Sequence, residues 1–204
     1  MKRLSNGIYN REALQRLVRS VTFFKDIVRL DQDQFELLLS VCEFVEAPAG
    51  DILLRKGDEA HTLYFLLKGK VTVLSEYEKS LNVISPGEVF GALSMVTGRG
   101  RSATVKSSTE VVLLGIDFKY FQQVEDFSMF SMGTKLVAYR MVVHNIRWTL
   151  EMNKMESPDH SLVSKLSKAP LYTGVRGGEE ELESLYEQSR VLADLLCEWN
   201  DSLG

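Results

Sequence analysis

The sequence of 204 residues is poor in cysteine and has no long apolar run. Its two cysteines, Cys42 and Cys197, lie far apart in apolar surroundings, which argues against a disulfide framework and for a reducing compartment. No apolar run approaches the ~20 residues that a membrane-spanning helix needs, and the N-terminus lacks the apolar core of a signal peptide. These shortages predict a cytoplasmic protein with no membrane partner.

Metal ligands and positive charge are also scarce. The three histidines, His61, His144 and His160, do not share a strand, whereas a catalytic metal needs three convergent protein ligands. No nucleophile elbow, Walker loop or Cys-His arrangement is present, so the chain is predicted not to be an enzyme. The net charge of -4 argues against a protein that mainly grips nucleic acid.

Apolar spacing predicts helices at both ends of the chain and β-strands between them. A helical stripe runs from Tyr9 to about Phe24, and a second short helix covers residues 33–42. Short β-rich runs, separated by glycines, then follow one another and predict an antiparallel barrel or sandwich. These runs are residues 52–54, 62–67, 71–74, 81–84, 103–105 and 111–116.

The helical period returns after residue 118 as a narrow apolar stripe. It consists of Met129, Met132, Leu136, Tyr139, Val143, Ile146 and Leu150. Alternating steps of three and four are the spacing of a coiled coil, so residues 129–153 are predicted to form a homodimer seam. Packing of the stripe on the chain's own barrel is the alternative.

The last fifty residues divide into a linker and one acidic amphipathic helix. Two prolines and a Gly-Gly pair make residues 154–178 a linker, and the helix over 179–203 must cover either the barrel or a partner. The predicted organisation has five parts. They are an N-terminal helical segment (1–30), a β-barrel (31–126), a long helix (127–153), the linker (154–178) and the C-terminal helix (179–204).

Two stretches carry a specific order of glycine turns and polar residues. Gly57-Asp58 precedes LYFLLKGKVTV at 63–73, and SPGEVFGALSMVTGRGRSATV occupies 85–105. Together they resemble the cyclic nucleotide-binding domain family, which includes bacterial catabolite activator proteins and regulatory subunits of cyclic-AMP-dependent kinase. The resemblance implies a mainly β, α+β fold, an eight-stranded jelly-roll barrel with flanking helices. The helix-turn-helix domain of many bacterial relatives is not expected here.

The resemblance also implies a phosphate-binding cassette over 91–104. Arg101 matches the arginine of the cassette, whose guanidinium engages the two free oxygens of a cyclic phosphate with paired hydrogen bonds. Ser102 matches a position where some members of the family add a hydroxyl ligand. The candidate ligand-binding residues are Gly91, Ala92, Leu93, Ser94, Arg101, Ser102 and Ala103.

Ala92 departs from the family pattern, in which a glutamate accepts a hydrogen bond from the ribose 2′-hydroxyl. Losing a charge-assisted hydrogen bond costs about 1.5–3 kcal/mol, which corresponds to roughly ten- to a hundredfold in affinity. A weakened or altered site for cyclic AMP or cyclic GMP is therefore predicted. Arg99 could suit a more highly charged ligand or be an exposed loop residue, and Arg101 could be structural in a barrel that has lost its ligand.

The predicted function is that of a non-enzymatic sensor that signals to an unidentified protein partner through rearranged helices. A ligand-degenerate protein-interaction module is the first alternative. A transcription regulator of the catabolite-activator type is the second, but DNA binding is not expected because phosphates would repel the acidic helix at 179–203.

Overall fold

Two antiparallel sheets form the centre of the fold. The computed structural model describes residues 1–3 and 11–202. The sheets have the orders β1-β2-β9-β4-β7 and β3-β8-β5-β6, and eight strands besides the two-residue β1 form the jelly roll, so the fold prediction is confirmed. The strands of the described residues are β1 (Lys2–Arg3), β2 (Cys42–Ala47), β3 (Ile52–Leu54), β4 (Thr62–Lys68), β5 (Val71–Leu74), β6 (Ser80–Ile84), β7 (Val89–Phe90), β8 (Thr104–Ser107) and β9 (Val111–Asp117).

Strand β9 explains why one apolar run of the sequence shows no alternation. It lies between β2 and β4, and both of its faces are buried. Leu113 belongs to the apolar cluster inside the barrel, whereas Leu114 and Ile116 pack into a second cluster shared with the helices. Since successive side chains of a strand point to opposite faces, two buried faces require apolar residues at every position.

The N-terminal helical pattern is interrupted once. The single helix predicted from Tyr9 to Phe24 is two helices, because Val21 has an extended backbone with ψ of 131°, and Tyr9 itself lies outside the described residues. Asp31 then caps the next helix by accepting hydrogen bonds from the backbone N–H groups of Asp33 and Gln34. The helices of the described residues are α1 (Arg11–Ser20), α2 (Thr22–Leu30), α3 (Gln32–Ser40), α4 (Leu93–Thr97), α5 (Lys119–Gln122), α6 (Met132–Glu156), α7 (Val163–Ser167) and α8 (Glu179–Ser202).

The apolar stripe of α6 is used inside the chain. Its members from Leu136 to Leu150 are buried, and α8 packs along the same helix with its own apolar face. The stripe predicted as a homodimer seam is therefore not free to meet a second copy, because α8 and the barrel already remove it from water. The homodimer itself stays a prediction and would need another face of α6.

The helical boundaries differ from the predicted ones at two places. Helix α6 begins at Met132, where the Ser131 hydroxyl accepts a hydrogen bond from the Thr134 N–H, and it continues to Glu156. The predicted linker contains α7, whose Leu166 is buried. Helix α8 ends at Ser202 in the part of the chain that the structure describes, and Leu203 lies beyond that part.

No helix in the described ranges combines the length and apolarity needed to cross a bilayer.

Candidate functional site

Two glycines with positive φ delimit the first half of the cassette. Strand β7 leads into Gly91, which has φ of +79°, and α4 ends at Gly98, which has φ of +67°. Gly98 closes the helix by donating its N–H to the Ser94 carbonyl at 3.0 Å. Glycine adopts these left-handed conformations without a steric cost, so the chain can turn sharply at both ends of a five-residue helix.

Arg101 is the buried cation of the cassette, with 6% of its surface exposed. Its Nη1 donates to the Gly91 carbonyl at 3.0 Å, and its Nη2 donates to the Thr62 carbonyl at 2.7 Å. Burial lowers the pKa of Arg101, and Tyr64 and Asp58 oppose that shift. Because the ordinary pKa of arginine lies far above neutrality, the group stays charged.

The guanidinium retains unused hydrogen-bonding capacity. A guanidinium has five N–H groups, and the hydrogen bonds to the Gly91 and Thr62 carbonyls use two of them, one on each terminal nitrogen. The remaining groups stay available on a residue that lines a cavity. This arrangement holds the arginine in place without a ligand and leaves donors for an anion.

Close backbone contact between two loops positions Arg101. Its N–H donates to the Asp58 carbonyl at 2.9 Å, and its carbonyl accepts from the Gly57 N–H at 2.8 Å. A Cβ on Gly100 would lie 2.9 Å from the Gly57 carbonyl oxygen and 3.0 Å from that of Asp58. Glycine at position 100 therefore allows the close approach that places the following arginine.

The cassette opens onto a cavity of about 270 Å³. All seven predicted site residues line it, so the structure brings the predicted set together, while their role in binding stays a prediction. The opposite wall comes from strand β6 and from helices α6 and α8. That wall includes Asn82, Asn145, Trp148, Asn153, Leu196 and Asn200.

Ala92 places a methyl group on the cavity, at the position where the resemblance predicts a carboxylate. It is 3% exposed, it precedes α4, and its side chain makes no capping hydrogen bond. Glu88 also lines the cavity, but its carboxylate accepts a hydrogen bond from the Ser85 N–H within its own turn. The carboxylate of Glu88 is therefore already engaged within its own turn.

Arg99 lies outside the cavity, although it is only two residues from Arg101. Its side chain is two-thirds exposed and pairs with Asp194 of α8, with Nη2 to Oδ1 at 3.1 Å. The structure thus gives Arg99 an acidic partner on α8.

The histidines do not converge. His61 pairs with Glu59 at 3.2 Å, and His160 stacks on Trp199 with ring centroids 4.3 Å apart. Within residues 1–3 and 11–202, no group of three or more His, Cys, Asp or Glu side chains could hold a metal ion. The described residues that line the cavity include one buried arginine, two glutamates (Glu88 and Glu156) and uncharged polar groups, and they do not form a metal centre.

Sequence reasoning missed the helical wall of the cavity. Asn145 and Asn153 lie on α6, at the border of the apolar stripe of that helix. Asn145 immediately precedes Ile146, and Asn153 follows Leu150 by three residues. Polar residues beside an apolar stripe are ordinary on a helix, so only the packing of α6 and α8 shows that these amides face the cassette.

The comparisons agree with this geometry. Residues 44–126 match the family model of the cyclic nucleotide-binding domain. The cAMP-activated global transcriptional regulator CRP of Salmonella typhimurium is 33% identical over 94 residues, which are 44% of this chain and 45% of that protein. The chain thus spans about half the length of the curated relatives it matches.

Solved structures show the same fold at low sequence identity. A putative cyclic nucleotide-binding protein from Geobacter metallireducens has a TM-score of 0.53 and 18% identity, over 68% of this chain and 99% of that one. The regulatory subunit of a cAMP-independent protein kinase A from Trypanosoma brucei has a TM-score of 0.52 and 21% identity, over 76% of this chain and 49% of that one.

The fold is a jelly-roll domain whose cavity is lined by the buried Arg101. The sequence matches are consistent with that fold: residues 44–126 are similar to the cyclic nucleotide-binding domain family. Helices α6 and α8 lie outside that segment.

Proposed function

We propose that this chain is a non-enzymatic cytoplasmic regulator whose cassette binds a cyclic nucleotide and whose helices pass the bound state to a partner protein. Arg101 carries the proposal, because it is a buried guanidinium with free donors on the cavity. The cavity also has two carboxylates: that of Glu88 accepts a hydrogen bond from the Ser85 N–H, and Glu156 is exposed. A buried cation of this kind favours an anion as its ligand. The name of the Salmonella relative, a cAMP-activated regulator, adds support.

The volume of the cavity favours a single nucleotide. Ligand pockets commonly measure roughly 300–1,000 Å³, and about 270 Å³ is slightly below the lower limit of that range. Cyclic AMP and cyclic GMP are therefore the proposed ligands, in preference to a cyclic dinucleotide. Ala92 removes the usual acceptor for the ribose, so we propose weak binding.

Calorimetry with cyclic AMP and cyclic GMP tests the proposal. Arg101→Ala is expected to weaken binding at least tenfold, because it removes charge-assisted hydrogen bonds to the phosphate. Arg55→Ala is the matched control, since Arg55 is exposed and does not line the cavity. Arg101→Lys, which keeps the charge but not the paired geometry, is expected to bind more weakly than the wild type and retain the fold.

Two outcomes would count against nucleotide binding. One is an absence of binding heat with both nucleotides in the wild type. The other is an unchanged dissociation constant in Arg101→Ala and Arg101→Lys, with folding of both variants verified by circular dichroism.

A protein-interaction module without a ligand is the second candidate function. It is favoured by the two hydrogen bonds that Arg101 makes to backbone carbonyls, because they stabilise the arginine without any ligand. On this alternative, millimolar cyclic AMP leaves the unfolding temperature of the wild type unchanged, while Arg101→Ala lowers it. A ligand-dependent rise in that temperature would exclude the alternative.

A further inference from the structure

Helix α8 forms part of the cavity although it lies outside the family segment. Leu196 and Asn200 line the same cavity as Arg101 and Ser102. Residues four apart lie on one face of a helix, so one turn of α8 presents an apolar and a polar side chain to the cassette. Leu196 is buried and Asn200 is half-buried.

A neighbouring polar face of α8 contacts the cassette loop. Asp194 pairs with Arg99 at 3.1 Å. One turn later, burial raises the pKa of the Cys197 thiol, and Arg99 and the side chain of Ser102 oppose that shift. Ser102 is itself a predicted ligand-binding residue. Helix α8 thus packs beside the loop that presents Arg101 and is paired with it through Arg99.

A third contact joins the end of α8 to two parts of the barrel. The Lys56 ammonium lies 2.9 Å from Asp201 and 3.0 Å from Glu76, which belongs to the turn between β5 and β6. Hydrogen bonds to Asp201 and Glu76 raise the pKa of Lys56. Exposed ion pairs each contribute little to stability, so these contacts orient α8 but add little to the free energy of its docking on the barrel.

Asn200 has hydrogen-bonding groups that no protein group uses. Among the residues that the structure describes, its side-chain amide has no hydrogen-bond partner, although it faces the cavity. An asparagine amide provides two donors and one acceptor. Ala92, which lines the same cavity, provides neither. Asn200 follows Cys197 by three residues and therefore lies on the part of α8 that faces Ser102.

We propose that Leu196 and Asn200 are ligand-binding residues of this chain, and that the Asn200 amide hydrogen-bonds the sugar hydroxyl of the nucleotide held by Arg101. This inference rests on the proposed function. Leu196 contacts an apolar part of the same ligand, so a bound nucleotide links the cassette to α8. Through this link, occupancy of the cavity controls how firmly α8 is docked.

Binding of cyclic AMP and of its 2′-deoxy analogue tests the role of Asn200. The wild type is expected to prefer cyclic AMP by about three- to tenfold, the value of one hydrogen bond. Asn200→Ala is expected to bind both nucleotides equally. Glu183→Ala is the matched control on α8, because Glu183 is exposed and does not line the cavity, and it should keep the wild-type preference.

The outcomes separate this inference from the proposed function. A wild type without preference, an Asn200→Ala variant that keeps it, or an equal loss for both nucleotides overturns the assignment of Asn200 to the sugar, while nucleotide binding still stands. An absence of binding heat in the wild type overturns both proposals together.

Hydrogen exchange measures the docking of α8 directly. Saturating cyclic AMP is expected to slow exchange of the amides of residues 192–202 by about tenfold in the wild type. In a variant with Leu196→Ala and Asn200→Ala, protection is expected at the cassette but not in α8. Protection confined to residues 91–104 in the wild type would overturn the link between ligand and helix.

Discussion

The two walls of the cavity are built in different ways. The cassette wall is set by backbone geometry within a short stretch, where Gly91 and Gly100 allow close approaches and Arg101 bonds to main-chain carbonyls. The helical wall is set by side chains of α6 and α8 that are more than forty residues away from the cassette. The half of the cavity around Arg101 is therefore set by neighbouring residues, whereas the other half depends on helix packing.

The largest expected effect is on the cassette wall, with Gly91→Ala. A Cβ at this position would lie 2.7 Å from Arg101 Nη1, on a backbone with φ of +79°. We expect a loss of about 2–3 kcal/mol in the free energy of unfolding, from backbone strain and displacement of the guanidinium. Urea denaturation measures this loss, and calorimetry measures the accompanying loss of nucleotide binding.

Gly98→Ala separates strain from contact. Gly98 has a similar φ of +67°, but nothing lies within 4 Å of a Cβ placed there. It should cost only about 1 kcal/mol. Equal losses in the free energy of unfolding for Gly91→Ala and Gly98→Ala would show that the position of Arg101 does not depend on Gly91.

The second-largest loss of stability is expected in the helical wall of the cavity, at Glu181. This residue joins α8 to α6. This buried carboxylate accepts hydrogen bonds from Arg140 Nε and Nη2 at 2.8 and 2.6 Å, and from the Gly177 N–H at 2.6 Å. Glu181→Gln is expected to lower the free energy of unfolding by about 1–2 kcal/mol, because the charge-assisted bonds are weakened. Glu187→Gln, at an exposed position of the same helix, should change it by less than about 0.5 kcal/mol.

The same carboxylate makes the helical wall sensitive to acid. The hydrogen bond from Arg140 holds the pKa of Glu181 below its ordinary value of 4.5. The unfolded state therefore binds the proton more tightly than the folded state does. The carboxylate stabilises the fold fully above about pH 4.5, and this stabilisation is lost as the pH falls through the lower pKa that Glu181 has in the folded state. Between pH 7 and pH 3, the free energy of unfolding should decrease less steeply for Glu181→Gln than for the wild type. An identical pH dependence in the two proteins would refute this role of Glu181.

The smallest effect on stability is expected for the exposed face of α6, where the predicted homodimer would have to form. Trp148 is 57% exposed and Met155 is 75% exposed on that face. Met155→Ser is expected to lower the mass measured by light scattering from dimer to monomer, while the free energy of unfolding changes by about 0.5 kcal/mol or less, and unlike Trp148 this residue does not line the cavity. Tyr77→Ser, at a 79% exposed position away from α6, is the control. A monomeric wild type at micromolar concentration would exclude the dimer.

Local patterns predicted several elements, and long-range pairing created others. The apolar run of β9 is recognisable as a strand by itself, whereas β2 is a strand because it pairs with β9 over six residues from Cys42 to Ala47. Position 42 was predicted as the end of a helix, since nothing within that segment reveals its partner. The break at Val21 was also missed, because the apolar spacing continues across it.

The strand pattern of the sequence predicted an antiparallel barrel or sandwich, and the resemblance to a known family implied the jelly roll and the cassette around Arg101. Both depend on glycines with positive φ, strand periodicity and a short polar order, which are properties of neighbouring residues. Only the tertiary structure decided that the stripe of α6 is covered by α8 and that Asn200 faces the cassette. The physical reason is that apolar burial is not directional: an amphipathic helix specifies that one face must be covered, but not which surface covers it.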